Sequence, residues 1–460
     1  MRFKTAHANK EQIQATIEWM KHHQIDEVEC LLADITGIMR GKILPSEKFI
    51  NGLQQGAIRM PEGVFSQTVT GDFVPESMVI SEAGHDMLMI PDLSTLSKIP
   101  WYENDQSAQV ICDALDMQGR DITYAPRSVL KNILALYHQQ GWKPVVAPEL
   151  EFYLVKRNID PDLPLETPEG LSGRSEAGRQ AYGIEAANDY DPVIEDIYHY
   201  SEDCNIDIDA MAHEGGTAQL EMNFNHGNAL NLADQVFLFK RIVRKAAFKH
   251  QIYATFMAKP HEKEPGSSMH IHQSIIDIET QTNIFSTPKG RDSAALKSYI
   301  AGLQRYVGRC MPLFAANANS YRRIKPYTDA PINVHWGHDN RTVGLRVPMS
   351  DAHSRRVENR IPGADCNPYL AMAGTLACGY IGLTQKLRPS REITGDAYRL
   401  TFNLPRSQHE ALYKLAHCKP LKQILGEDFI RLLIEVKNYE YDLFNRVISS
   451  WEREYLLLNV

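Results

Sequence analysis

Glutamate, histidine and arginine recur in this chain at alternate positions of short apolar segments, a spacing that gathers ionisable groups on one side of a strand. Side chains i and i+2 share a strand face. In VVAPELEFYLV, Glu149 and Glu151 lie opposite Leu150, Phe152 and Leu154. In TAQLEMNFN, Gln219, Glu221 and Asn223 oppose Leu220, Met222 and Phe224. SSMHIHQSI sets His270 and His272 against Met269, Ile271 and Gln273, and RRVENRIP sets Glu358 and Arg360 against Val357 and Asn359. Any one of these segments reads as the half-solvated strand of an antiparallel sheet. Solvent faces ordinarily mix Lys, Thr and Ser, however, and this pattern returns on segments far apart in sequence. Lining one concave sheet, the four would build a cavity.

That cavity would concentrate Glu149, Glu151, Glu214, Glu221 and Glu358. Carboxylates so close cannot all stay ionised without a compensating charge. Carboxylate oxygens with a single imidazole are hard ligands suited to Mg2+ or Mn2+. No Cys joins the set, and H-x-H alone is a weak zinc signal. Two divalent cations, one nearer His270, would balance the charge. Residues 321–360 hold seven arginines and Lys325, eight bases in 40 positions against 49 in 460 for the chain. Arginine forks match phosphate and carboxylate in two-point contacts. Arg322 reads as surface charge, and Arg355 less firmly so. Carboxylate-held metals beside arginines point to phosphoryl transfer from a nucleotide. GIMRGKI is too short for a phosphate-binding P-loop, and no G-x-G-x-x-G is present, so another architecture must hold the nucleotide.

The elements that must position these groups follow from length and pattern. At 460 residues, two domains are expected. A net charge of -8 argues against a nucleic-acid partner. No apolar run reaches the length of a membrane span, and the opening MRFKTAHANKEQ carries no signal-peptide core. The seven scattered cysteines fit free thiols in a reducing cytoplasm. A helix is expected over 10–24, then a hairpin about Thr36-Gly37, then loops with short strands over 51–105, and a last strand in SAQVICDALD. The chain divides near residue 118, into a small α+β domain (1–118) and a large one (119–460). Further helices are expected from Pro126, and over 229–251, 293–310, 367–386 and 427–457. Residues 157–181 read as one long loop.

Six segments, PELEFYLV, HEGGTAQLE, GSSMHIHQS, NSYRRIKPYTDAP, NRTVGLRVP and RRVENRIPGADCNPYLA, together resemble the glutamine synthetase family in order and spacing. The resemblance implies an α+β protein with an N-terminal β-grasp domain and a C-terminal catalytic domain, whose curved antiparallel sheet is flanked by helices. It implies an ATP-dependent ligase working through a γ-glutamyl phosphate, with two to three Mg2+ or Mn2+ ions per site. Carried over by position, Glu151, Glu214 and Glu221 resemble the ligands of one ion, and Glu149, His270 and Glu358 those of another. Arg323, Arg360 and Gly266 resemble the glutamate contacts. Arg341, Arg346 and Arg356 resemble the phosphate-binding set, and His272, Ser274 and Phe224 the nucleotide contacts. Asp329 stands where the family keeps a flap glutamate that takes a proton from the attacking amine. The family assembles as a dodecamer of two stacked hexamers with shared active sites.

This chain departs from that pattern in informative places. Ser66 takes the place of an aspartate that helps to bind ammonium, and the flap acid is one methylene shorter. Both changes favour a carbon-bearing amine over ammonium. Details of the C-terminal segments resemble the γ-glutamylpolyamine synthetase branch, so a polyamine acceptor is expected; ammonia, or a monoamine, is the alternative. A catalytically silent family member is disfavoured because all six ligand positions are filled. The acidic runs NDYDPVIED and YSEDCNIDID read as a solvated helix and loop, or else as an entrance that draws a polyamine. Pro265 replaces an asparagine beside the glutamate site. Phe402 replaces a tyrosine that is adenylylated in regulated relatives, so no adenylylation is expected there.

Overall fold

The computed structural model describes residues 9–102 and 105–460; most of the opening segment discussed above lies outside them. Helix α1 (Lys10–His22) starts at an Asn9–Gln12 capping box. Strands β1 (Glu27–Ala33) and β2 (Met39–Pro45) form the expected hairpin. Its turn is organised by Asp34, whose carboxylate accepts from Thr36 and Ile38 N–H and pairs with Arg40 at 2.8 Å. Gly37, at φ +87°, supplies the left-handed residue the turn needs. Helix α2 (Ser46–Gln55) follows, then β3 (Arg59–Pro61), β4 (Asp86–Pro91), β5 (Ser97–Lys98) and β6 (Ser107–Leu115). The sheet order is β2-β1-β6-β4-β3, with β1 parallel to β6 and the other pairs antiparallel. This mixed sheet with its helices is a β-grasp arrangement. Helix α2 reaches into the segment expected to hold only loops and short strands. Only two of its ten residues, Phe49 and Leu53, are buried, too narrow a stripe to read as periodicity.

The second sheet is built around one long strand, β7 (Trp142–Lys156), with α3 (Pro126–Gln139) before it. Helices α4 (Ile184–Asn188) and α5 (Asp191–Asp203) precede β8 (Ile208–His213), β9 (Gln219–Phe224) and β10 (Gly227–Asn228). Then come α6 (Ala229–Lys249), β11 (Ile252–Thr255), β12 (Met269–Asp277), α7 (Ala294–Tyr306), β13 (Trp336–His338), β14 (Leu345–Val347) and β15 (Val357–Asn359). The order is β13-β14-β15-β12-β7-β9-β8, antiparallel except for the β13–β14 edge. Helix α8 (Pro368–Thr384) is apolar on every side and packs against α3, α6 and α7 as a buried core helix. The chain ends in α9 (Gln408–Ala416), α10 (Lys419–Leu425), α11 (Glu427–Asn445) and α12 (Ser450–Leu456). The single helix expected over 427–457 is therefore two, because Ser449 caps a new start with Glu452. All seven cysteines are free and buried. No helix among the described residues is long and apolar enough to cross a membrane.

One buried cation ties the two sheets together. Arg127, in α3, reaches Asp113 of β6 at 2.5 Å, Asp92 at 2.6 Å and Asp234 of α6 at 2.9 Å. Tyr369 of α8 donates to Asp234 at 2.6 Å. Arg127→Ala would take the cation from Asp92 and from the buried Asp234, while Asp113 keeps Lys131 at 2.8 Å. Loss of one partner of a buried pair costs about 3–5 kcal/mol, so the denaturant midpoint is expected to fall sharply while Asp113→Asn, at a half-wet position, moves it much less.

Candidate active site

Strand register assembles the site. Glu151 faces Glu221 across β7–β9, Glu149 faces His270 across β7–β12, His272 faces Glu358 across β12–β15, and Arg346 faces Glu358 across β14–β15. Five strands thus carry one continuous row of ionisable side chains on a single face. Glu214 joins it from the turn between β8 and β9. Oxygens of Glu151, Glu214 and Glu221 all lie within 4.8 Å of one another, as do donors of Glu149, Glu221 and His270, and of Glu149, His272 and Glu358.

The row divides electrostatically. His272 Nε2 lies 2.8 Å from Glu149, and His270 Nδ1 lies 3.4 Å from it. Burial alone would raise Glu149, but hydrogen bonds from the two imidazoles outweigh it and hold the carboxyl far below the ordinary range. Glu358 is likewise pushed up by burial yet held at about 2 by Arg360, His272 and His270; Arg360 pairs with it at 2.6 Å and Arg346 at 2.9 Å. The other three carboxyls have no such partner. Burial, then the charge of Glu214, lifts Glu151 to about 8. Burial, then Glu151 and Glu149, lifts Glu221 to about 10. Glu214 is raised by burial, with Asp329 and Glu149 adding to it. Hard oxygen donors, uncompensated negative charge and a buried His270 Nε2 without a partner fit divalent cations.

A second group of residues presents unanswered donors. Arg323, Arg346 and Arg360 each bury an Nε–H that has no acceptor, a feature anionic substrates would satisfy. Arg323 donates to Ser268 Oγ at 2.9 Å and to Ile361 O. Gly266 packs so closely that an added Cβ would lie 2.3 Å from Arg323 Cγ and 2.4 Å from Ala258 O. Its carbonyl accepts from Gln219 at 3.1 Å, and Pro265 O from Tyr153 at 2.8 Å. Asp329 is exposed, with φ +59°, and a Cβ on Gly215 would lie 3.8 Å from its Oδ2. Asp329 therefore stands beside Glu214.

At the other end of the row, a cavity of about 480 Å³ is lined by Glu149, Phe224, His272, Ser274 and Arg356, among others. Arg356 Nε donates to His272 Nδ1 at 3.2 Å. Phe224 lies on the apolar face of β9; it is 3% exposed, its ring meets Phe239 edge-on at 5.1 Å, and it reaches the cavity only as part of its wall. Arg341 is exposed near Asp339. Arg355 pairs with Asp292 at 2.6 Å, and Arg322 lies over the Phe444 ring, which places both outside the row. Ser66 does not join the others within one chain: it is buried in the N-terminal domain and donates to Gly63 O at 2.8 Å. In the acidic run at α5, Asp196 is paired with Lys249 and His250.

His213, the first residue of HEGGTAQLE, and Glu176 were given no role from the sequence, yet both touch the turn that carries Glu214. His213 Nε2 lies 3.1 Å from Glu176, and Nδ1 lies 2.8 Å from the Glu214 carbonyl. Only the adjacency of His213 to Glu214 could have suggested it.

The sequence profile described as "Glutamine synthetase, catalytic domain" matches residues 123–456. The chain is 36% identical to "Gamma-glutamylputrescine synthetase PuuA" of Escherichia coli (strain K12), over 94% of this chain and 92% of that protein. It is 32% identical to "Glutamate--isopropylamine ligase" of Pseudomonas sp, over 96% and 97%. Further matches include glutamine synthetases proper. A solved structure described as "GmaS/ADP complex-Conformation 1" superposes with a TM-score of 0.81 at 25% identity, covering 96% of this chain and 98% of that one. The β-grasp domain, the largely antiparallel sheet with its carboxylate row and these similarities define a carbon–nitrogen ligase acting on glutamate. The chain belongs to the glutamine synthetase family, which depends on ATP and divalent metal.

The electrostatics set a sign. Glu151 and Glu221 bind protons more tightly folded than unfolded, where a glutamate titrates near 4.5. The metal-free protein is therefore expected to lose stability as pH rises from about 5 towards 10. Glu221→Gln should flatten that slope and raise the metal-free melting temperature above wild type, while removing part of the stabilisation by Mg2+. Calorimetry with and without Mg2+ across this range checks both.

Proposed function

We propose that this chain joins the γ-carboxyl of L-glutamate to an amine bearing a carbon chain, foremost a polyamine of the putrescine, spermidine or spermine class, at the expense of ATP. The observation that carries this reading is the 36% identity, across 94% of the chain, with a γ-glutamylputrescine synthetase. The absence of a carboxylate at Ser66 and the short flap acid Asp329 support it. Two to three Mg2+ or Mn2+ ions, held by Glu151, Glu214 and Glu221 and by Glu149, His270 and Glu358, would neutralise the oxygens of the phosphoryl group in transit. Arg323 and Arg360, with the Gly266 backbone, would hold glutamate; the buried Nε–H of each is unsatisfied. Arg341, Arg346 and Arg356 would face the phosphates, with His272 and Ser274 at the nucleotide in the 480 Å³ cavity. A free carboxylate is too poor an electrophile for amide formation, so the γ-carboxyl is phosphorylated first. The amine then attacks the acyl phosphate as free base, Asp329 takes up its proton, and phosphate leaves.

We also place the division of the chain near residue 118, since the two sheets share no strand and the catalytic profile begins at 123. A cytoplasmic dodecamer of stacked hexamers fits the exposed apolar end, where Leu458 and Val460 are 91% and 95% exposed. In a shared site, Ser66 would serve a neighbouring subunit. The plain glutamine synthetases among the relatives favour ammonia as the second reading.

Phosphate release from ATP with glutamate, measured against ammonium and a panel of mono-, di- and polyamines, decides between them. Polyamine turnover far above ammonium turnover is expected, with the amide confirmed by mass spectrometry; ammonium as the best acceptor would overturn the reading. Asp329→Asn should lower kcat with the preferred amine by about 10²–10⁴-fold, with part of the loss recovered at high pH, where more amine is already free base.

A further inference from the structure

Residues 157–183 separate β7 from α4 without forming a strand or helix of their own, and no catalytic or substrate role above draws on them. They are not a detached surface loop. Thr167 Oγ1 meets Thr217 Oγ1 at 2.9 Å, and Tyr182 N–H donates to His213 O at 2.9 Å. Arg179 donates to Lys263 O at 2.8 Å, next to the Pro265–Gly266 segment. Between these contacts, Glu176 is mostly buried, its side chain only 10% exposed.

One oxygen of Glu176 makes two contacts, both on the turn that joins β8 to β9. Oε2 accepts from Ala218 N–H at 2.7 Å and lies 3.1 Å from His213 Nε2. Ala218 has φ +54°, a left-handed conformation that an alanine adopts only when something holds it there. His213 passes the contact on: its Nδ1 meets the carbonyl of Glu214 at 2.8 Å. The turn so gripped begins at Glu214 and runs into Glu221, two of the three carboxylates that carry uncompensated charge. Among the described residues, the segment from His213 to Ala218 has no strand partner of its own beyond the β8–β9 pairing, so the Glu176 contacts tie it to the body of the domain from outside.

We propose that Glu176 is a positioning residue of the active site, fixing the His213–Ala218 turn so that Glu214 and Glu221 present their oxygens to one cation. This rests on the reading of Glu151, Glu214 and Glu221 as a metal set. Residues that orient metal ligands through a hydrogen bond characteristically change affinity by about 10–100-fold when removed.

The test is Mn2+ binding to the nucleotide-free protein, followed by electron paramagnetic resonance, for wild type, Glu176→Ala, Glu176→Gln, Glu214→Gln and the exposed control Glu166→Ala. Glu214 belongs to one candidate ligand group alone, so Glu214→Gln identifies the class of Mn2+ site to which the turn contributes. Glu176→Ala should raise the half-saturating Mn2+ concentration of that class about tenfold or more, with the other class moved less. Glu176→Gln keeps an acceptor for Ala218 N–H and should fall between, which also covers the case in which the alanine variant fails to fold. In turnover, kcat should drop at saturating Mn2+ while the KM for glutamate stays near wild type. Mn2+ isotherms of the Glu176 variants that match wild type, with Glu214→Gln impaired, overturn the positioning role alone. An isotherm unchanged in Glu214→Gln as well overturns the metal set and this inference with it.

Discussion

Like charges placed on adjoining strands are the constraint on which this structure turns. Glu151 and Glu221 are direct cross-strand partners, an arrangement that ordinarily destabilises a sheet. It survives because the opposite face of the same strands is a continuous core: Leu150, Phe152, Leu154, Leu220 and Met222 are fully buried. Each strand is thus fixed by its apolar side, and the polar side must accept whatever neighbours the register dictates. The buried helix α8, and the Arg127 hub that joins α3, α6 and β6 through Asp234 and Asp113, serve the same end from behind. A one-residue slip of β9 would turn Glu221 into the core and Leu220 into the site, so register and function are one specification.

The features legible in the sequence were those written with period two. Glu149 and Glu151, Glu221, His270 and His272, and Glu358 and Arg360 sit on the faces that alternation assigned them, and the hairpin at Thr36-Gly37 lies where turn chemistry placed it. Alternation also put Phe224 on the apolar face, in tension with a part in nucleotide binding; the ring follows the alternation and packs on Phe239. Illegible were features that depend on contacts between distant segments. Glu176 acquires meaning only when the long loop folds over the His213–Ala218 turn, 37 residues further on. The break between α11 and α12 is a matter of one cap, Ser449, in a helical pattern that otherwise continues. Ser66 stands apart from the row, buried in the N-terminal domain with its hydroxyl on Gly63 O, and no local pattern could say so.

The division of the carboxylate row has a consequence for the choice of acceptor. Glu149 and Glu358 are answered by imidazoles and guanidinium groups of the chain itself, whereas among the described residues Glu151 has the Ser268 N–H at 2.8 Å and no paired cation, and Glu214 and Glu221 have no paired cation either. Asp329 adds its charge to that side, next to Glu214. Any cation is drawn there, whether a metal ion, ammonium or the ammonium end of an amine, because a point charge of one sign carries no information about the carbon attached to it. Electrostatics therefore recruits acceptors without ranking ammonium against alkylammonium. Ranking one acceptor against another has to come from the shape of the site around Glu214 and Asp329, because apolar carbon gains from leaving water where bare charge does not.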